Sequence, residues 1–157
     1  MEDRLRRLLS SDIKNLFDYA LYRKTSPEGV ISDIFDTSLY KKFVNKCPAD
    51  GKLIYLQVCW DGADMFNFSG KSMWPLCYCI MNLPPSFRDK MHIGMHVASF
   101  DNGSDAGLEV FSNELLKLWE KGFIVNECKY YVCCPQIIMD GREREKFCNV
   151  QVSNIFN

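Results

Sequence analysis

The spacing of apolar positions changes near residue 50. Before that point apolar side chains recur at helical intervals, which is typical of helices with one buried side. Residues 3–23 are predicted to form one amphipathic helix, with basic residues on one side and apolar ones at Leu5, Leu9, Leu16 and Ala20 on the other. After a break at residues 25–29, residues 31–44 predict a shorter helical or irregular segment. We therefore expect a helical N-terminal lead over residues 1–50.

From residue 51 onward the pattern favours strands. Alternating or continuous apolar runs at residues 53–60, 74–81 and 91–100 are separated by Gly, Pro or Asn. Because the connections are short, the three strands are expected to form an antiparallel meander.

A helix and a further strand follow. The helix is indicated by Leu108, Phe111, Leu115 and Leu118 and is expected to end at Lys121-Gly122. The strand covers residues 130–139, where Pro135 predicts a bulge or an unpaired backbone position. The predicted order after the lead is βββαβ, which indicates an α/β fold.

The first and last of these strands both lead into an Asp-Gly pair, Asp61-Gly62 and Asp140-Gly141. If a helical crossover docks the last strand beside the first, both run the same way and end at one edge, about 5 Å apart. Two ionised carboxylates so placed repel unless a divalent cation neutralises them. The alternative is that each Asp-Gly is only a turn, since this dipeptide is common in turns.

Composition narrows the possible functions. The chain has 157 residues, of which 47% are hydrophobic, and a net charge of -1; it can bury one ordinary core and has no overall basic charge to attract nucleic acid. No run is long and apolar enough for a membrane span or signal peptide, so we expect an intracellular protein without a membrane partner. The eight cysteines lack the pairwise spacing of a structural zinc site and are expected to be reduced.

Other candidate residues have a simpler interpretation. Trp74 could stack on DNA, but an aromatic residue at the start of an apolar strand is more often part of the core. His92 and His96 would share one face of a strand, without a metal role. The basic residues around the Pro-rich turn could contact a DNA backbone, although such residues are common on any surface: Lys71, Arg88 and Lys90.

A family resemblance adds to this interpretation. The chain resembles the start of the catalytic domain of CACTA (En/Spm)-type DNA transposases in the stretches Asp61-Gly62, Ser72-Met73-Trp74-Pro75-Leu76, Asn82-Leu83-Pro84-Pro85 and Arg88. Further similar stretches are Asp33-Ile34-Phe35-Asp36 upstream, and Glu114-Leu115, Leu118-Trp119 and Gly122 downstream. The tail from Asp140 to Asn157 resembles the region around the second acidic residue of that family.

The resemblance implies a ribonuclease-H-like domain over residues 51–157, with Asp61 as the first and Asp140 as the second metal-binding acid. It implies Mg²⁺ or Mn²⁺ as cofactor, the DNA of transposon ends as partner, self-association or association with a full-length transposase, and a nuclear location. Residues 141–145 are larger and more charged than those usual after the second acid.

The chain also ends before the third acid and the remaining strand of the family domain, so we expect a fragment that does not catalyse alone. The alternative is a domesticated or decayed transposon-derived protein that acts as a non-catalytic DNA or protein interaction module.

Overall fold

The structure is a computed structural model that describes residues 1–60, 63–64, 72–88, 93–100 and 105–138. In that part of the chain it is a mixed α/β fold. The strands are β1 Lys52–Trp60, β2 Ala63–Asp64, β3 Ser72–Ile80, β4 Ile93–Phe100, β5 Phe123–Val125 and β6 Cys128–Ile138. The helices are α1 Glu2–Leu9, α2 Tyr19–Tyr22, α3 Ser38–Lys46, α4 Pro85–Arg88 and α5 Asp105–Glu120, with two 3-10 helices at Asp12–Asp18 and Ile34–Asp36.

The strands form one mixed sheet in which β1 is central. On one side β1 pairs with β3 and β3 with β4, all antiparallel, and the short β2 also pairs with β3. On the other side β1 pairs in parallel with β6, and β5 pairs antiparallel with β6. The predicted meander is confirmed. The last strand docks beside the first and parallel to it, which is the arrangement that brings the ends of both strands to one edge of the sheet.

The predicted irregularity at Pro135 is also confirmed. Tyr55 pairs with Cys133 while Gln57 pairs with Gln136, so two residues of β6 stand opposite Leu56 alone. Proline has no backbone N–H to donate, and a bulge places it where the sheet requires none.

The two faces of the sheet carry different clusters. One face packs against α1 and α5 through a large apolar core that includes Leu5, Leu9, Leu56, Val58, Leu108, Phe111, Leu115 and Leu118. The other face carries a smaller cluster of Ile34, Phe35, Phe43, Tyr55 and Cys133. Successive residues of β1 point to opposite faces. The N-terminal lead packs against both faces, because Leu5 and Leu9 belong to the first cluster and Phe35 belongs to the second.

The prediction of a single helix over residues 3–23 is wrong. Helix α1 ends at Leu9, and the chain continues as a 3-10 helix and then α2. Ser11 explains the break, because both its backbone N–H and its hydroxyl donate to the Leu8 carbonyl, at 3.2 and 2.7 Å. Serine offers the backbone such local alternatives to the regular helical ladder.

The sequence interpretation also missed a hairpin. Strands β5 and β6 are joined by Asn126 and Glu127, whose φ angles are 48° and 66°. Two consecutive positive φ angles define a type I′ turn, which matches the twist of a two-residue hairpin. With three residues, β5 is too short to show a periodic pattern, and Asn126 is the one local signal for the turn.

Candidate functional site

The two predicted site residues lie just beyond the carboxyl ends of β1 and β6. Asp61 follows Trp60 directly, and Asp140 follows Ile138 by two positions. Both acids lie outside the described residues. The structure shows the strands that precede them, and the distance between the acids stays a prediction.

Those strands end side by side. Cys59 is paired with Ile138 in the parallel ladder, one residue before the end of β1 and at the end of β6. Adjacent strands lie about 5 Å apart. The carboxyl ends of the two strands therefore meet at one edge of the sheet, as a paired-carboxylate site requires.

Aromatic residues support the end of β1. Trp60 is 2% exposed, and its ring lies 5.5 Å from that of Trp74 on β3. Trp74 is partly buried against the large core cluster. This confirms the interpretation of Trp74 as a residue that packs in the core.

A second group of motif residues has a structural role. The side chain of Asn82, which is 6% exposed, accepts a hydrogen bond from the Tyr55 N–H at 2.7 Å and donates to the Leu53 carbonyl at 2.8 Å. The amide thus bonds two backbone groups of β1 at the point where the pairing with β3 ends. This contact explains the asparagine in Asn82-Leu83-Pro84-Pro85 without any ligand.

Arg88 also has a structural role. Its Nη2 donates to both carboxylate oxygens of Asp33, and its Nε donates to the Leu83 carbonyl at 2.7 Å. The guanidinium lies over the rings of Phe35 and Tyr19, 5.6 and 5.9 Å from their centroids. Arg88 is 9% exposed, so the suggestion that it contacts a DNA backbone is wrong. Lys71 and Lys90 lie outside the described residues.

Asp36 anchors the loop that precedes α3. Arg23 donates to its two carboxylate oxygens at 2.7 and 2.8 Å, and the Ser26 hydroxyl and the backbone N–H groups of Ser32 and Asp33 donate as well. The Arg23 guanidinium, assisted by these donors, holds the pKa of the Asp36 carboxyl well below its usual range. Together with Arg88–Asp33, this network accounts for both acids in Asp33-Ile34-Phe35-Asp36.

A cavity of about 370 Å³ lies at the opposite end of β1 from Asp61. Its lining combines the start of β1, the N-terminal lead and Asn82, and includes Leu21, Tyr40, Val44, Cys47 and Leu53. Burial raises the pKa of the Cys47 thiol, which makes it a poor nucleophile. Since β1 has nine residues at about 3.3 Å each, its two ends lie about 25 Å apart. The cavity is at the amino end of β1, away from the carboxyl end that leads to Asp61.

Six of the seven described cysteines lie on the sheet, and Cys47 follows α3. None of the seven is in a disulfide bond; Cys133 and Cys134 are buried, whereas Cys59 and Cys128 are exposed. Cys133 and Cys134 are therefore core residues, whereas Cys59 is not. In the part of the chain that the structure describes, no three His, Cys, Asp or Glu side chains are grouped so as to hold a metal ion.

Comparison of the chain with protein-family models, with curated proteins and with solved structures finds no match. Among the described residues, no helix is both long and apolar enough to cross a bilayer. The class that the coordinates define is thus a mixed α/β protein whose sheet has a central strand paired antiparallel on one side and parallel on the other.

Proposed function

We propose that this chain is part of the catalytic domain of a metal-dependent DNA transposase with a ribonuclease-H-like fold. The observation that carries the proposal is the parallel pairing of β1 with β6, whose carboxyl ends lead into Asp61 and Asp140. If β1 and β6 ran antiparallel, their carboxyl ends would lie at opposite edges of the sheet.

The order of the elements supports the same proposal. Three antiparallel strands, β1, β3 and β4, are followed by helix α5. The short strand β5 comes next, and then β6, which lies on the other side of β1. The resemblance to CACTA-type transposases implies this beginning for the domain. Since β6 docks beside β1 and parallel to it, the strands that precede the two Asp-Gly pairs end at one edge of the sheet.

The chemistry of the two side chains fits a hard divalent cation. Carboxylate oxygens are preferred ligands of Mg²⁺ and are accepted by Mn²⁺. A bound ion of this type would supply an activated water and stabilise charge at a phosphodiester. Asp61 and Asp140 would hold the ion, and the core residues Trp60 and Trp74 would keep the end of β1 rigid.

The proposed substrate is DNA, and the proposed compartment is the nucleus. With a net charge of -1, the chain has no general attraction for a polyanion, so a bound metal at the acidic edge would add the positive charge that a phosphate needs there. Binding of a phosphate backbone is then expected to depend on the metal.

Iron-directed cleavage tests the proposal directly. Fe²⁺ takes the place of Mg²⁺ at carboxylate sites and, with ascorbate and peroxide, generates hydroxyl radicals that cut the chain close to the ion. We expect fragments that end near residue 61 and near residue 140 in the same sample. Both cuts should disappear with excess Mg²⁺, and both should weaken in Asp61→Asn and in Asp140→Asn.

Asp3→Asn is the matched control, because Asp3 is an exposed acid on α1, far along the chain from either site residue. It should leave both cuts and the binding of Mn²⁺, counted by electron paramagnetic resonance, as in the unmodified protein. Equal Mn²⁺ binding by the unmodified protein, Asp61→Asn and Asp140→Asn would overturn the proposal. Cuts near only one of the two acids would overturn the shared site.

A further inference from the structure

Two cysteines lie directly opposite one another in the sheet. Cys59 on β1 is paired with Cys77 on β3 in a ladder that runs without a shift from Leu56–Ile80 to Trp60–Leu76. Side chains of directly opposed residues share one face, with Cβ atoms about 4.5–5.5 Å apart. The backbone thus holds two thiols beside each other, although they are 18 residues apart in sequence.

The hydrogen bonds next to this ladder identify the kind of pair. Met81, which follows Ile80, donates its N–H to the Tyr55 carbonyl at 2.9 Å, so Tyr55 and Met81 occupy a hydrogen-bonded position. Such positions alternate along an antiparallel pair. Cys59–Cys77 therefore has the same type as Tyr55–Met81, with an expected Cα separation of about 5.5 Å, within the range that a disulfide spans.

This pair is also accessible. Cys59 is exposed and Cys77 is half-buried. The cluster from the N-terminal lead covers the same face of the sheet farther back, over Tyr55 and Cys133. Near the end of β1 the described neighbours on β6 are the half-buried Gln136 and the exposed Ile138.

Three other described cysteines on the sheet are less suited to pairing with Cys59. Burial raises the pKa of the Cys133 thiol, and it raises the pKa of Cys134 to about 12, so neither ionises readily. Cys79 shares the face of Cys77 but stands opposite Gln57, and its thiol donates to the Arg88 carbonyl at 3.2 Å. Cys77 is therefore the better-placed partner for Cys59.

We propose that Cys59 and Cys77 are a reversible redox pair, oxidised to a cross-strand disulfide by low-molecular-weight disulfides of the glutathione type. The thiolate of Cys59, the more exposed residue, attacks one sulfur of the oxidant and releases one molecule of the reduced thiol. The Cys77 thiolate then attacks the Cys59 sulfur of the mixed disulfide and releases the second. Two cysteine protons are lost, the protein gives up two electrons, and the oxidant is reduced to two thiols.

The geometry predicts that the bond is easily reduced. Cβ atoms in a disulfide are about 3.8 Å apart, closer than in an undisturbed hydrogen-bonded pair, so β1 and β3 must approach each other to form it. Strained, exposed disulfides are the ones that regulatory thiols form. This proposal concerns β1 and β3 alone and does not depend on metal binding by Asp61.

Equilibration of the whole chain in glutathione buffers of increasing oxidised fraction tests the pair. Remaining thiols are blocked with iodoacetamide, and digested peptides are identified by mass spectrometry. We expect a linked Cys59–Cys77 peptide that increases with the oxidised fraction and disappears on addition of dithiothreitol. Cys59→Ser should reduce that peptide to background.

Cys128→Ser removes a second exposed thiol, on the β5–β6 hairpin, and should leave the yield of the linked peptide unchanged. The proposal would be overturned if Cys59 and Cys77 are both found alkylated by iodoacetamide at every buffer ratio. Cys59 found linked to any other cysteine, or carrying only glutathione, would overturn it as well.

Discussion

Arg88 donates from Nη2 to both carboxylate oxygens of Asp33, at 3.0 and 3.1 Å. The pair joins helix α4, after β3, to the 3-10 helix of the N-terminal lead. Its side chains are 10% and 4% exposed. Since the ion pair is shielded from water on both sides, the loss of one partner leaves a buried charge behind.

The first prediction concerns this pair. Arg88→Leu is expected to lower the free energy of unfolding by about 3–5 kcal/mol, because the Asp33 carboxylate stays buried without its counter-charge. Urea denaturation followed by tryptophan fluorescence measures the change. The double variant Arg88→Leu/Asp33→Asn should be more stable than Arg88→Leu alone, because the second change removes the uncompensated charge.

The control is Lys52→Gln, which breaks the ion pair of Lys52 with Asp18; those side chains are 50% and 39% exposed. An exposed pair contributes at most about 1 kcal/mol. A loss in Arg88→Leu no larger than that in Lys52→Gln would mean that the Arg88–Asp33 pair does not support the fold.

The second prediction concerns the amide that closes the pairing of β1 with β3. Asn82→Ala leaves the Tyr55 N–H and the Leu53 carbonyl without their partner, which is expected to cost about 2–4 kcal/mol for two buried groups. The amide proton of Tyr55 should also exchange faster with solvent in this variant. Asn15→Ala, at an exposed position, should change stability by less than about 0.5 kcal/mol, and unchanged exchange at Tyr55 in Asn82→Ala would contradict the prediction.

The sequence predicts the main strands and α5 well because their apolar spacing is long and regular. A helical crossover normally returns the chain to the same sheet, but connectivity alone does not decide whether β6 lies beside β1 or beside β4. Pro135 predicts the bulge in β6. Arg88–Asp33 could not be predicted in the same way. Nothing local to Arg88 shows that an acid 55 residues earlier is its partner, since the contact depends on how the lead folds back over the sheet.

The candidate site could also be predicted only in part from the sequence. Strand alternation and the Asp-Gly pairs predict that two acids follow strands that end at one edge of the sheet. The parallel ladder of β1 and β6 brings the carboxyl ends of those strands side by side. Several other motif residues, such as Asn82, have contacts that hold the fold. Single-sequence reasoning could not separate these two roles, because a buried polar group and a ligand-binding one have the same residue types.

The third prediction compares a glycine-to-alanine change at two positions. At one, only the backbone conformation is unfavourable; at the other, the added Cβ would also collide with a neighbour. Gly122, after α5, and Gly29 both have positive φ, 64° and 79°. A Cβ at Gly122 would lie 2.6 Å from the Tyr130 carbonyl oxygen, whereas one at Gly29 would have no heavy atom within 4 Å. Gly29→Ala should therefore cost only about 1 kcal/mol for the left-handed conformation, and Gly122→Ala should cost clearly more. Thermal unfolding measures both; equal losses would show that the backbone at Gly122 shifts to make room.

The fourth prediction is a dependence of stability on pH. Arg23 and its neighbouring donors hold the pKa of the folded Asp36 carboxyl below its ordinary value, while the unfolded chain titrates near about 3.9. In the acid range the unfolded state therefore binds more protons than the folded state at this residue. The stability that Asp36 contributes is complete at neutral pH and is lost as the pH falls below about 5, through and beyond the unfolded pKa.

Comparison with Asp36→Asn isolates that contribution from the other carboxyls. Urea midpoints measured from pH 7 to pH 2.5 should differ most between the unmodified protein and Asp36→Asn at neutral pH, and the difference should shrink as the pH falls. Asp12→Asn, which changes an exposed acid, serves as the control for the removal of one surface carboxylate. Only a pKa that changes on folding makes stability depend on pH. If the difference between Asp36→Asn and the unmodified protein stays constant down to pH 2.5, the Asp36 pKa is the same in the folded and unfolded states, and the prediction is wrong.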